Sequence, residues 1–167
     1  MMIDPANLRR AFGQFATGVT IVTALDAEGA PVGVTASSFN TVSLQPALVL
    51  WSIARSAYSF AAFASAPHFA VHVLDASQRR LSDRFARASS DKFAGLSMRK
   101  GEGGVPLLET ISTVFECETA HRYDGGDHLI LVGKVLNLRL PEAPGEPLLF
   151  HRGRYAAVEA AEDVLNG

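Results

Sequence analysis

Two long runs with apolar alternation, Ser112 to Tyr123 and Asp127 to Leu140, are joined only by Asp124-Gly125-Gly126. So short and glycine-rich a connection makes consecutive strands pair in opposite directions, because a parallel pair needs a crossover of a dozen or more residues. The chain is thereby committed to antiparallel sheet, and other segments agree. From Thr17 to Leu25 the pattern is β-branched, with Val19, Ile21 and Leu25 on one side. Asp26-Ala27-Glu28-Gly29 is a hairpin signal, and Pro31 to Phe39 reads as the returning strand. Ala47 to Ile53 is almost uniformly apolar, as in a strand buried on both faces. Phe69, Val71 and Val73 alternate with His68, Ala70 and His72, and Glu146 to Phe150 and Tyr155 to Val158 finish the sheet.

Helical patterns are inserted between these strands rather than alternating with them. Asp4 reads as an N-cap followed by Pro5 at the first helical position, with Leu8, Ala11, Phe12, Phe15 and Ala16 on one face. Tyr58 to Ala64 is helix-like, with Phe60, Phe63 and Ala64 together, and Ser77 is placed to cap a helix carrying Leu81 and Phe85 inward. Residues 86 to 110 are polar and glycine-containing, read as loop with short elements. Six or more strands at hairpin spacing predict a mainly β fold, an antiparallel barrel with peripheral helices, in a single domain over 1–167.

Charge and cysteine content exclude several function classes. Fifteen basic against seventeen acidic residues give a net charge of −2, which argues against a nucleic-acid or anionic-membrane surface. Cys117 is the single cysteine, so no internal disulfide forms, which suits a reducing cytoplasm. The N-terminus lacks the basic and apolar regions of a signal peptide, and the longest apolar run, Ala47 to Trp51, is too short to span a bilayer. The expectation is a soluble cytoplasmic protein.

No glycine-rich loop opens a helix after a strand, and no phosphate loop is present. His68 and His72 share a side of one strand without cysteine or carboxylate spacing, so they read as partly buried polar residues and no metal site is expected. Cys117, mid-strand between glutamates, reads as a core residue. Three places remain. Thr35-Ala36-Ser37-Ser38 ends a strand with small side chains, which lets a flat ligand approach the backbone; turn chemistry alone also accounts for it. Ser52-Ile53-Ala54-Arg55-Ser56 passes from a strand to a helix starting at Ser56, either an anion-attracting helix start or simply a cap. Gly125-Gly126-Asp127-His128 puts a histidine at the beginning of an apolar strand, on the side of Ile130 and Val132, as a site residue or a satisfied structural one.

Thr35-Ala36-Ser37-Ser38-Phe39-Asn40-Thr41-Val42-Ser43-Leu44-Gln45-Pro46 resembles the signature of the short-chain flavin reductases, the small partners of two-component flavin-dependent monooxygenases. Phe15-Ala16-Thr17-Gly18-Val19-Thr20, the Ser52 to Ser56 turn and Gly126-Asp127-His128-Leu129 extend the resemblance from about Leu8 to Tyr155. It implies an antiparallel Greek-key split β-barrel, usually a homodimer with flavin near the subunit interface.

The resemblance also implies roles for single residues. Thr35, Ala36, Ser37 and Ser38 would contact the isoalloxazine edge and ribityl chain, and Ser52, Ile53, Ala54 and Ser56 the ribityl and phosphate region. Phe85 and Lys92 would complete the pocket, the lysine opposite a phosphate. His128 would be the catalytic residue where the nicotinamide docks, with Asp127, Arg152 and Tyr155 beside it. The implied activity is hydride transfer from NADH or NADPH to FMN, with FAD an alternative, followed by release of reduced flavin to a separate oxygenase. Without clustered arginines for a 2′-phosphate, NADH is favoured. Two rivals keep the barrel: a flavin- or haem-binding protein without turnover, and an oxidase like the pyridoxine-phosphate oxidases, which would need more basic residues for its substrate phosphate.

Overall fold

The computed structural model describes residues 2–143 and 145–159. A first helix, α1 (Pro5–Phe12), is capped by Asp4, whose carboxylate accepts the Ala6 N–H at 3.2 Å. The strands that follow are β1 (Thr17–Gly18), β2 (Thr20–Leu25), β3 (Pro31–Ala36), β4 (Asn40–Leu44) and β5 (Ala47–Ala54). Helix α2 (Phe60–Ser65), strand β6 (His68–Val73) and helix α3 (Arg79–Ala86) come next. Short strands β7 (Met98–Lys100) and β8 (Pro106–Leu108) precede the long hairpin of β9 (Thr113–Gly125) and β10 (His128–Arg139), and the last strands are β11 (Leu149–His151) and β12 (Arg154–Ala156).

Seven strands form one sheet in the order β3-β2-β6-β9-β10-β5-β4, antiparallel at each pairing. Its two edge strands are consecutive in sequence and joined only by Ser37, Ser38 and Phe39. Laid flat, seven strands would span about 29 Å from edge to edge, at about 4.8 Å per spacing. Three linking residues reach only about 14 Å between Ala36 and Asn40. The sheet must therefore curl until its edges nearly meet, which gives a Greek-key split barrel with peripheral helices.

Inside it, Trp51 packs edge-on against Phe63 at 4.9 Å between ring centroids, with Phe69, Val22, Val49, Leu131 and Cys117 around them. A second apolar cluster lies outside the barrel wall, where Ile21, Phe85, Leu108 and Ile111 meet beneath α3. Strand β2 is consequently buried on both faces. Burial pushes the Cys117 thiol up to about 12, so it is a core residue.

Several expectations change. β1 pairs with β11 and not with β2's neighbours, and β11 and β12 form a small separate sheet with it rather than finishing the main one. β4 was not anticipated. The Ser77 cap is instead Asp75, whose carboxylate accepts the Ser77 N–H at 2.9 Å ahead of a short 3-10 turn and α3. The apolar face of α1 buries nothing, leaving Phe12 and Phe15 exposed. β5 is buried on one face only: Val49, Trp51 and Ile53 point inward, while Leu48, Leu50, Ser52 and Ala54 lie on the outer side.

His72 is wholly buried and joins three strands. Its Nε2 accepts the Leu108 N–H at 3.1 Å, so Nδ1 carries the proton and donates to the Ile21 carbonyl, also at 3.1 Å. Both ring nitrogens are used, which leaves no lone pair for a metal ion. Burial, opposed by the Ile21 bond, pushes its pKa down to about 4 from 6.5. The unfolded chain therefore takes up this proton below about pH 6.5 while the folded chain does not until about pH 4, and stability falls as pH falls through that window. Between pH 6.5 and 5 the expected loss is about 2 kcal/mol by urea denaturation. The His72→Gln variant should lack that slope; an equally steep profile in the variant contradicts the assignment.

Candidate functional site

The barrel is open where strand lengths mismatch. β4 pairs with β5 only from Leu44 opposite Ala47 to Asn40 opposite Leu50, so Trp51 to Ala54 have no β4 partner on that edge. β3 is the opposite edge strand. At the foot of the gap Ser38 acts as a bolt: its Oγ accepts the Ser52 N–H and donates to the Ser52 carbonyl, both at 2.9 Å. Above it lies a cleft of about 260 Å³ lined by Val34 to Ser38 on one lip, Trp51 to Ala54 and Ala57 on the other, and His128. Thr35, Ala36, Ser37, Ser38, Ser52, Ile53, Ala54 and His128 are thus brought together from three separate segments.

Backbone direction supplies the donors. Residues two apart on a strand address the same edge. Ser52 faces Ser38 with both its backbone groups, so the Ala54 N–H points into the gap, while the Ala54 carbonyl accepts from Ala57 at 2.9 Å. On the other lip the Gly33 carbonyl turns away from β2 to meet Lys92, which puts the Thr35 N–H on the free edge. The Thr35 hydroxyl is already committed, donating to the Ser82 carbonyl at 2.6 Å. Ser37 and Ser52 hydroxyls have no partner in the chain among the described residues. This donor set, flanked by small side chains and containing no lysine or arginine, fits the carbonyl-bearing edge of a planar heterocycle. A flavin ring system meets that description. The volume lies just below the range of roughly 300–1,000 Å³ typical of small-molecule sites, so it holds a ring and not a whole dinucleotide.

His128 begins β10 opposite Ala54 of β5. Gly126, with φ of +76°, makes the preceding turn possible. The Asp127 carboxylate accepts from His128 Nδ1 at 2.7 Å, and that hydrogen bond with the imidazole charge holds the Asp127 carboxyl below its usual range. Nδ1 is thereby fixed as the protonated nitrogen, and Nε2 is the ring's open position on a side chain 43% exposed.

Other candidate residues lie elsewhere. Ser56 is exposed in a turn outside the cleft, since the helix starts only at Phe60, after Ser59. Phe85 is fully buried, its ring under Gly33, where an added Cβ would sit 2.5 Å from it; it supports β3 from behind and cannot touch a ligand in the cleft. Lys92 is also buried, its Nζ donating to the Gly33 and Phe85 carbonyls at 2.9 Å each, and burial lowers its pKa. It borders a hollow of about 470 Å³ lined by Arg80, Arg84 and Arg87 together with Asp83 and Asp91, so cationic groups lie near it, in mixed company, though its own charge is engaged. Within the chain, Arg152 and Tyr155 are not beside His128. They line another hollow with His151 and Arg154; the Arg152 guanidinium holds the Gln14 side chain at 2.6 and 3.1 Å, and the Tyr155 hydroxyl donates to Asp83 at 2.7 Å. Burial raises the Tyr155 phenol.

The alanines and serines of the lips were legible in the sequence. Val34, Trp51 and Ala57 as lining residues were not; Trp51 is fully buried and borders the cleft only because β4 stops short of it, a property of register.

Comparison with known proteins follows the same direction. A family model described as a flavin reductase like domain matches residues 12–159. The reductase component of a flavin-dependent trigonelline monooxygenase from Acinetobacter baylyi is 44% identical over 161 residues, covering 96% of this chain and 51% of that protein. The FMN reductase (NADH) SmoA from Agrobacterium fabrum is 46% identical over 149 residues, covering 89% of this chain and 83% of that one. The crystallised NADH:FAD oxidoreductase SgcE6 of Streptomyces globisporus superposes with a TM-score of 0.85 at 37% identity, covering 97% of this chain and 99% of its own. The chain spans about half the length of the first two curated relatives, 51% and 43%.

Ser38→Ala removes both halves of the bolt and leaves two Ser52 backbone groups unpaired. The expected cost is about 1–2 kcal/mol in urea denaturation, with faster amide exchange at Ser52. An unchanged midpoint and unchanged exchange at Ser52 would contradict the role given to Ser38.

Proposed function

Because the chain belongs to the flavin reductase-like domain family, we propose that it is an NAD(P)H-dependent flavin reductase. Hydride passes from a reduced nicotinamide nucleotide, NADH in preference, to FMN or FAD, and the reduced flavin leaves to serve a separate oxygenase. One observation carries this reading: two bare strand edges with small side chains face each other across a gap that has a histidine–aspartate pair beside it.

Flavin, when bound, supplies the hydride acceptor, so the protein's task is to hold two rings in register. The Thr35 and Ala54 N–H groups and the Ser37 and Ser52 hydroxyls fix the ring's polar edge and favour negative charge there. Asp127 keeps the His128 ring turned with Nε2 outward, where it accepts from the nicotinamide carboxamide N–H or, with the ring doubly protonated, gives a proton. A phosphate-bearing tail leaves along the free edge of β3 toward Lys92 and the arginines of α3. Turnover is favoured over storage by the shallow, partly open cleft and by the reductase names of the relatives. An oxidase handling a phosphorylated substrate is disfavoured because the cleft itself is lined by no lysine or arginine.

In this reading the chain is one domain acting as a homodimer. Leu44, Val42, Leu136, Leu138 and Leu140 are exposed toward one end of the sheet, Leu44 at 98%, and such a cluster calls for a cover that a second copy supplies. Arg152 and Tyr155 then join the nicotinamide site across the subunit boundary. Among the described residues no helix is long and apolar enough to cross a membrane. We place the protein in the cytoplasm, where reduced nicotinamide nucleotides and a separate oxygenase component are both available.

Purified protein given a flavin and NADH without oxygen should bleach the flavin absorbance band. His128→Ala should lower kcat/KM for the nucleotide by about 10- to 100-fold while the flavin Kd changes little. No bleaching with any pairing of FMN, FAD or riboflavin with NADH or NADPH would remove the reductase reading, and an unaffected kcat/KM would remove His128 from it.

A further inference from the structure

Arg55 follows the last residue of β5 and is not in the cleft, yet it takes hold of the turn that carries His128 at three points. Its backbone N–H donates to the Asp127 carbonyl at 2.9 Å. Its Nε donates to the Gly126 carbonyl at 3.0 Å, and its Nη2 donates to the Asp124 carboxylate at 2.6 Å. Among the described residues, no other side chain outside the β9–β10 hairpin bonds to this turn. The guanidinium also lies 5.7 Å from the centroid of the Phe60 ring, which fixes its approach from the α2 side.

We propose that Arg55 is the positioning residue that sets His128 relative to the cleft, a role that rests on the reductase reading above. The hairpin is long and its outer end projects beyond the core, with Tyr123 and Asp124 exposed. Pairing with β5 stops at His128 opposite Ala54, so the turn itself has no ladder partner. Left to the ladder alone, it would rock about the end of the strand and carry Asp127 and the imidazole with it. Arg55 ties it to the same segment that forms one lip of the cleft, because Ala54 and Ala57 flank it. The ladder holds the His128 backbone opposite Ala54 and the Arg55 N–H holds the Asp127 carbonyl, while the Arg55 side chain fixes the rest of the turn, Asp124 and Gly126, against that lip. A planar fork is needed: Nε and Nη2 address a carbonyl and a carboxylate at once, which a lysine ammonium on a flexible stem does not reproduce.

The ion pair is solvent-exposed on both sides, so it adds little to overall stability. That separates positioning from scaffolding. In Arg55→Ala, kcat/KM for NADH should fall about tenfold, while the flavin Kd and the thermal midpoint stay close to wild type. Arg55→Lys should not rescue it. Asp124→Asn, which keeps the Nε bond and loses the charge pair, should give a smaller loss. Nitrogen NMR of the ligand-free protein gives a readout apart from turnover: His128 should show the Nδ1-protonated tautomer in wild type and an averaged tautomer signal in Arg55→Ala. Unchanged kinetics and an unchanged His128 signal in Arg55→Ala would overturn the proposal, as would full rescue by lysine or an equal loss of flavin affinity and thermal midpoint. If wild type fails to oxidise any nicotinamide nucleotide, the reductase reading falls, and the His128 signal alone decides whether Arg55 holds the turn.

Discussion

Three residues, Ser37, Ser38 and Phe39, connect the opposite edges of a seven-stranded sheet, and the geometry of the molecule follows from that tether. A link so short forbids an open sheet and brings β3 up to β5 without pairing them. The result is a seam whose backbone groups are left for something other than the sheet. Unpaired strand edges are ordinarily a hazard, since they template aggregation. Here they are confined to a few residues at the bottom of a curled surface, bolted at one end by Ser38 and overlooked at the other by His128.

The lip formed by β3 is held rigid from behind. Thr35 donates to the Ser82 carbonyl, Lys92 donates to Gly33 and Phe85, and the Phe85 ring fills the space under Gly33. The Thr35–Ser82 and Lys92–Gly33 bonds cross from the edge strand to α3 and the segment after it, and the Lys92–Phe85 bond ties that segment back to the helix, so the helix does for β3 what a neighbouring strand would have done. Lys92 is thus a clamp, with both observed bonds spent on carbonyls. Preorganised backbone donors of this kind do not have to reorient when a ring arrives, which is how a site with few charged groups still favours charge developing at a ligand's edge.

Local pattern carried much of this fold. The glycine-rich turn between two long alternating runs, the Asp4-Pro5 helix start and the small residues of the lips are short-range signals; the structure has the helix start and the lips where the sequence puts them, while the turn falls at Gly126-Asp127, with Asp124 and Gly125 still paired in β9. What failed depended on pairing between distant segments. Thr17 to Leu25 reads as one strand but divides at Val19 because β1 is drawn away by β11. β4 is too short and too exposed to announce itself. The uniformly apolar β5 reads as buried on both faces, whereas Leu48 and Leu50 lie half-buried on its outer side. Arg55 and Asp124 are 69 residues apart in sequence, so nothing local marks them as partners.

The central claim is that flavin rests in the seam between β3 and β5. Titrating nitrogen-labelled protein with FMN and following the backbone amides tests it directly. The largest shifts should fall on Thr35 to Ser38 and Ser52 to Ala54, with His128 moving in step. Shifts confined to the arginine-lined hollow between Arg80 and Lys92, with the two lips unmoved, would contradict it.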